Sequence, residues 1–302
     1  MCAYTDRRWD VLNASIHATL DQRPPPREIV LVVDHNDALL RRCREQLPPE
    51  VRVLSNMEAR GLSGARNTGI QHATGALVIF LDDDAVPEPG WLAALLSPYS
   101  DPHVVGVGGE VVPDWEAGQP GWLPSEFWWT VGCSYRGLPT ASAPIRNAIG
   151  ANMSFRRSAF DEVGSFTNGI GRLGSTPLGC EETEFSIRLR QHLPHVVIVY
   201  VPSARVSHLV PYERARWRYF LSRCWSEGLS KALVATAVGN EDALSSERTY
   251  ALRVLPTGFA RGLYDTCRGD LWGAARAAAI VLGLAATTSG YVAGVLRRRS
   301  AG

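Results

Sequence analysis

Three consecutive carboxylates, Asp82-Asp83-Asp84, follow the apolar run Ala76-Leu77-Val78-Ile79-Phe80-Leu81 without a break. Six apolar residues with no helical spacing predict a strand buried on both faces, and such a strand delivers its last residues to the edge of a sheet where ligands of open α/β folds gather. Hard oxygen ligands packed this closely suit Mg²⁺ or Mn²⁺, which favour carboxylate and water and complete their shell with substrate phosphates. The partner of such a site is a phosphorylated small molecule. The same triplet could also form only a turn that caps the helix opened by Pro87, Pro89 and Trp91.

Four further groups of residues bear chemistry. Asp34 stands directly after the run Ile29-Val30-Leu31-Val32-Val33, at the same end of the sheet as Asp82; a carboxylate there can accept from a base N–H or a ribose hydroxyl, or close an Asx turn. Gly61-Leu62-Ser63-Gly64-Ala65-Arg66-Asn67-Thr68-Gly69 puts glycines and Arg66 at a helix start. It fits neither GxGxxG nor a P-loop, yet helix N–H groups and Arg66 could approach a diphosphate; a structural loop with Arg66 ion-paired is the plainer reading. Glu181, Glu182 and Glu184 crowd the first turn of another helix. The macrodipole favours acids there, while mutual repulsion should push one of them toward the range of a general base. His208 follows a strand and could complete a Mg²⁺ or Mn²⁺ shell, or simply be a hydrogen-bonded histidine.

The elements that must position these groups alternate along the chain. Strands are predicted at Ile29 to Val33, Val51 to Leu54, Ala76 to Leu81 and Val104 to Val112, with helices at Ala38 to Gln46, Ala65 to Ala73 and Gly90 to Ser97 between them. That alternation predicts a parallel sheet with helices on both faces. From about Asp114 to Ser207 the chain is richer in Trp, Gly and Pro, including Trp115, Trp122, Trp128 and Trp129, and reads as a loop-rich, substrate-facing half. A helix over Arg157 to Val163 and a strand over Val196 to Val201 return regular structure.

The 302 residues are 45% hydrophobic, enough for a sizeable core, and Lys+Arg 31 against Asp+Glu 30 gives a formal charge of +1. Nothing in that balance points to a nucleic-acid partner. The six cysteines form no CxxC and no zinc-ligand spacing, so they read as reduced thiols of a cytoplasmic protein. The first residues lack the apolar region of a signal peptide. From Trp217 the chain is mostly helical, and Ala277 to Leu296 carries no charge. Twenty such residues could span a bilayer, but Arg297-Arg298-Arg299 directly after them oppose a single span with the catalytic part in the cytoplasm. An interfacial or re-entrant helical hairpin is expected, against the alternative of a helical pair packed on the protein's own core.

Taken together, Val33-Asp34, the Gly61 to Gly69 segment, Phe80-Leu81-Asp82-Asp83-Asp84, Gly150-Ala151-Asn152-Met153-Ser154-Phe155, Glu181-Glu182-Thr183-Glu184 and His208 resemble a family 2 glycosyltransferase of the GT-A fold, over about Met1 to Ser230. The resemblance implies a Rossmann-like mixed, mainly parallel sheet flanked by helices, with a helical C-terminal appendage. Residues 1–215 would form the GT-A domain, its nucleotide-sugar half about 1–112 and its acceptor half about 113–215, with 216–302 as a helical, membrane-associated region. It also implies inverting transfer of a sugar from a nucleoside-diphosphate sugar, with a UDP-sugar expected, to an acceptor hydroxyl. Asp34 would contact the nucleobase; Asp82 and Asp84 would form the DXD element at ribose, metal and diphosphate, with Asp83 between them a further candidate. Glu182 would be the base, with Glu181 as substitute, and His208 would join Asp82 and Asp84 on Mn²⁺ or Mg²⁺. Asn152, Trp225 and Glu227 would lie on the acceptor side. The uncharged tail points to a lipid-linked or cell-envelope glycan acceptor at the inner face of the plasma membrane. Alternatives are a sugar nucleotidyltransferase or a catalytically inactive sugar-nucleotide-binding module. One departure stands out: Met1 falls where the family's first apolar strand should be ending, so an apolar run is expected in frame upstream.

Overall fold

The computed structural model describes residues 1–169, 179–239 and 246–299, residues 298 and 299 by backbone only. The chain divides into two compact units, one built from residues 1–112, 139–169 and 181–208, the other from residues 113–138, 179–180, 209–239 and 246–299.

In the first unit β1 (Cys2–Ala3), β2 (Ile29–Val33) and β3 (Val51–Ser55) form a parallel sheet in the order β1-β2-β3. Leu31, Val32 and Val33 are all buried, as the unbroken apolar run requires of a strand covered on both faces. On the face of Ile29, Leu31 and Val33 it is covered by α1 (Trp9–Leu20), which contributes Leu12 and Ile16, and α2 (Asp37–Gln46), which contributes Leu39 and Cys43. α2 starts at Asn36, whose side chain accepts from the Leu39 N–H. α3 (Leu62–His72) starts after Gly61, whose φ of 128° favours glycine.

A six-stranded sheet comprises β4 (Leu77–Leu81), β5 (Ala85–Pro87), β6 (Val104–Trp115), β7 (Ala143–Ile145), β8 (Asn152–Arg156) and β9 (Val197–Val210), in the order β4-β8-β6-β9-β5 with β7 on β9. β4 and β6 both pair antiparallel with β8, and β5 and β7 antiparallel with β9. The fold is mixed, as expected, but parallel pairing belongs to the smaller sheet; a single parallel bridge from Cys2 to Asp82 touches the larger one. Helices α4 (Trp91–Leu96), α5 (Arg157–Val163) and α6 (Glu181–His192) complete this unit. Phe80, Phe155, Phe160, Phe166 and Phe185 interlock edge-to-face and stacked beneath the sheet.

The second unit is helical: α7 (Trp217–Val238), α8 (Leu255–Cys267) and α9 (Trp272–Arg299). Within the segment from Asp114, Trp122 stacks on Trp217 at 4.1 Å and packs with Phe127 and Phe220 in the core of the helical unit. The uncharged stretch from Ala277 to Leu296 lies within α9, a single helix of 28 residues that packs on α7 and α8. Glycines let α9 approach α7: a Cβ on Gly228 would meet the Thr287 carbonyl oxygen at 2.1 Å, and one on Gly290 the Trp225 carbonyl oxygen at 2.2 Å. By length and hydropathy Trp272–Arg297 could cross a membrane, and only 22% of its apolar window is buried. The side chains of Arg298 and Arg299 lie outside the described residues.

Candidate active site

The carboxylate triplet occupies the link between β4 and β5, where the Ala85 N–H donates to the Asp82 carbonyl at 3.2 Å. The triplet forms a turn that presents its side chains at the end of β4 and does not cap the following helix, which starts after Gly90. The antiparallel register of β5 with β9 sets Ala85 opposite His208. One ligand atom each from Asp82, Asp84 and His208 lie within 4.8 Å of one another, and the His208 Nε2 stands 3.2 Å from Asp84 Oδ1. His208, far away in sequence, thus joins the sheet-end carboxylates through strand pairing.

Two arginines bracket the triplet. Arg8, at the end of a short 3₁₀ turn over Asp6–Arg8, donates through Nη1 to Asp83 at 2.6 Å and lies 2.9 Å from Asp84 Oδ2. Arg66, from α3, donates through Nη1 to Glu181 at 2.7 Å and through Nη2 to Asp82 at 3.2 Å and the Gly150 carbonyl at 3.0 Å. Burial works against the charge of both arginines, and the adjoining carboxylates outweigh it: the Asp84 and Asp83 pair raises the Arg8 pKa, Glu181 and Asp82 that of Arg66. Asp83 is raised to about 7 by burial, with Arg8 pulling it down and Asp84 pushing it up.

Asp82, Asp83, Asp84 and Glu181 are four carboxylates sharing two guanidinium groups. Among the described residues, Asp83 Oδ2 and Glu181 Oε2 are buried without a hydrogen-bond partner. Surplus negative charge, two carboxylates and an imidazole converging on one point form a donor set that fits a Mg²⁺- or Mn²⁺-sized cation.

Asp34 accepts from Asn56 Nδ2 at 2.7 Å and from the Gly61 N–H at 3.0 Å, and the His35 Nδ1 lies 2.8 Å away. The glycine segment thus fixes the carboxylate that follows β2. His35 takes a left-handed φ of 49°, so the chain turns sharply there. The acids of α6 divide their work. Glu181 is buried against Arg66, Glu184 is buried against Arg188 at 2.8 Å, and Glu182 remains half-buried.

Two of the candidates are enclosed by the protein itself. Arg66 is 2% exposed and its terminal nitrogens are turned to protein acceptors, so it braces Asp82 and Glu181 rather than reaching outward. Asn152, expected on the acceptor side, is fully buried; its carboxamide accepts from the Trp91 indole and donates to the Glu110 and Ala204 carbonyls, tying the sheet together. Trp225 and Glu227 lie on α7 in the second unit. Trp225 is exposed, whereas Glu227 is buried between Arg223 at 2.9 Å and Lys231 at 3.1 Å and accepts from the Cys180 thiol. Burial opposes the Glu227 charge, but Lys231 and Arg223 hold its pKa down at about 2. Sequence reasoning missed Arg8 and Asn56; the signal for Arg8 was its place just past β1, at the same sheet edge as Asp34 and Asp82.

The family model for glycosyl transferase family 2 matches residues 1–164. The chain is 35% identical over 237 residues to the glucosyl-dolichyl phosphate glucuronosyltransferase of Haloferax volcanii, a match covering 78% of this chain and 75% of that protein. Polypeptide N-acetylgalactosaminyltransferase 5 of Rattus norvegicus is 39% identical over 103 residues, which span 32% of this chain and 11% of that protein. Among solved structures, the mannosyltransferase PcManGT from Pyrobaculum calidifontis, in complex with GDP-Man and Mn²⁺, superposes with a TM-score of 0.61 at 19% identity, covering 98% of this chain and 85% of that one. GalNAc-T7 with UDP, GalNAc and Mn²⁺ superposes with a TM-score of 0.53 at 19% identity, covering 82% of this chain and 53% of that one. These two likenesses establish the shared GT-A fold.

Proposed function

The chain belongs to glycosyl transferase family 2, and from that premise we propose that it is a metal-dependent inverting enzyme that moves a sugar from a nucleoside-diphosphate sugar to an acceptor hydroxyl on a lipid-linked glycan. The observation that carries the reading is the convergence of Asp82, Asp84 and His208 at the edge of the sheet, beside a surplus of carboxylates. A divalent cation bound there supplies positive charge against the diphosphate of the departing nucleotide.

The remaining roles fall to the chain's own residues. Asp34, fixed by Asn56 and Gly61, accepts from the nucleobase. Glu181 and Asp82 are held by Arg66, which keeps the start of α6 beside the triplet. Glu182, half-buried at that helix start, takes the proton of the acceptor hydroxyl as its oxygen attacks the anomeric carbon from the face opposite the leaving diphosphate. Attack from that face inverts the configuration.

The lipid-linked acceptor is supported by the dolichyl-phosphate relative and by the apolar exposed surface of α9. Both favour a working place at the inner face of the plasma membrane. Thermal-shift measurements with UDP-, GDP- and dTDP-sugars, with and without Mn²⁺, test the donor, since a ligand that binds only the folded protein raises its melting temperature. One nucleotide sugar should stabilise the fold in a Mn²⁺-dependent way; no stabilisation by any of the three would sink the reading.

A further inference from the structure

We propose that Arg8 is the guanidinium that meets the donor's diphosphate, the part sequence reasoning gives to Arg66. The inference rests on the nucleotide-sugar reading above. Arg66 has 2% of its side chain exposed, and Nη1 and Nη2 are directed to Glu181, Asp82 and the Gly150 carbonyl. Gly150 itself backs onto this guanidinium, where a Cβ would stand 2.8 Å from Nη2. Freeing Arg66 for a ligand would abandon a buried ion pair and leave the buried Glu181 without its cation, which costs far more than a surface rearrangement.

Arg8 is arranged in the opposite way. A single nitrogen, Nη1, serves both Asp83 and Asp84, and the side chain is 14% exposed. Among the described residues its Nε and Nη2 meet no protein acceptor. Those two nitrogens form the planar fork that matches two phosphate oxygens. The fork lies beside Asp84, one of the three residues that converge as a cation site, so a phosphate completing the shell of that cation would arrive within reach of it. The backbone beneath is held by the 3₁₀ turn, whose Thr5 side chain accepts from the Arg7 N–H, and the guanidinium packs over the Tyr4 ring at 5.5 Å. Arg8 thus has one edge anchored and one edge presented.

The test is calorimetric binding of UDP and GDP in the presence of Mn²⁺, together with Mn²⁺ binding alone by electron paramagnetic resonance. Arg8→Gln should weaken the nucleoside diphosphate that binds wild type by about ten- to a hundredfold, the scale of a lost charge-assisted contact. Mn²⁺ affinity without nucleotide should not fall, because removing the cation beside Asp84 leaves that carboxylate more available to the metal. Arg8→Lys keeps the charge without the fork, gives an intermediate loss, and serves as the variant of record if Arg8→Gln does not fold. Undiminished diphosphate binding by the folded variants overturns the inference. So does an equal loss of Mn²⁺ binding without nucleotide, which would make Arg8 a brace for the carboxylates. Wild type that binds neither nucleotide removes the nucleotide-sugar reading and this inference with it.

Discussion

His208 Nε2 lies 3.2 Å from Asp84 Oδ1 because the β5–β9 register places His208 opposite Ala85, the residue after the triplet. If this pair holds a cation with Asp82, removing either member should weaken Mn²⁺ binding. Asp84→Asn and His208→Ala are each expected to raise the Mn²⁺ dissociation constant at least about tenfold, as loss of a ligand does. Unchanged titrations of free Mn²⁺ by electron paramagnetic resonance in both variants would remove the site.

Glu182→Gln should abolish transfer while nucleotide-sugar affinity stays near wild type. A missing general base lowers turnover by about two to four orders of magnitude. Steady-state rates and calorimetric donor binding check both halves, and near-normal turnover would pass the base role to another group.

The pKa of Asp83 carries a pH signature in the metal-free protein. Its folded value of about 7 exceeds the unfolded carboxylate value of roughly 4, so the folded state binds the extra proton between them. Stability is therefore lost as pH rises from about 4 to about 7, by at most about 4 kcal/mol, and levels off above that. Melting temperatures measured across this window should fall more steeply for wild type than for Asp83→Asn. Parallel profiles would count against the shift.

Glu227 works in the other direction. With its folded pKa held at about 2, below the unfolded value, its stabilisation is present above about pH 4.5 and is lost as pH falls toward 2. Glu227→Gln should cost about 3 kcal/mol at neutral pH, measured by denaturant unfolding. An unaltered unfolding midpoint combined with lost transfer would instead favour the acceptor-side role that its sequence context implies.

Val281 and Leu282 are 52% and 48% exposed on α9, so replacing both with Glu should leave the fold intact. The charges should nonetheless disfavour contact with a bilayer. Flotation with phospholipid vesicles is expected to recover wild type with the lipid and the variant in the soluble fraction. Equal recovery of the two would locate any membrane contact elsewhere.

The strands and the sheet-edge carboxylates were legible because they are local: an apolar run names its own strand, and Asp34 and Asp82 fall at its end. His208 could be nominated from its position after a strand, but its approach to Asp84 depends on a register between residues more than a hundred positions apart. Arg66 and Arg8 show the limit. Both are cations near the triplet, and only packing decides that one is enclosed and the other presented. The Trp-rich segment shows the same limit: its composition reads as a loop-rich binding half, and only packing reveals that Trp122 and Phe127 join a core with the C-terminal helices. Asn152 is polar and lies in a motif-like stretch, yet its carboxamide bonds the Trp91 indole on α4 and two carbonyls of the sheet.

The glycine-lined approach of α7 and α9 bears on how this protein can be shortened. Gly228, Gly290 and Gly294 bring the two backbones together where even a methyl group would collide. α7 has therefore been shaped to one neighbour, and no ordinary helix could take the place of α9. Trimming the apolar tail to gain solubility would uncover that seam along α7 and strip cover from Phe127 and Phe220, against which Gly283 packs. The trimmed chain would be stickier than the intact one.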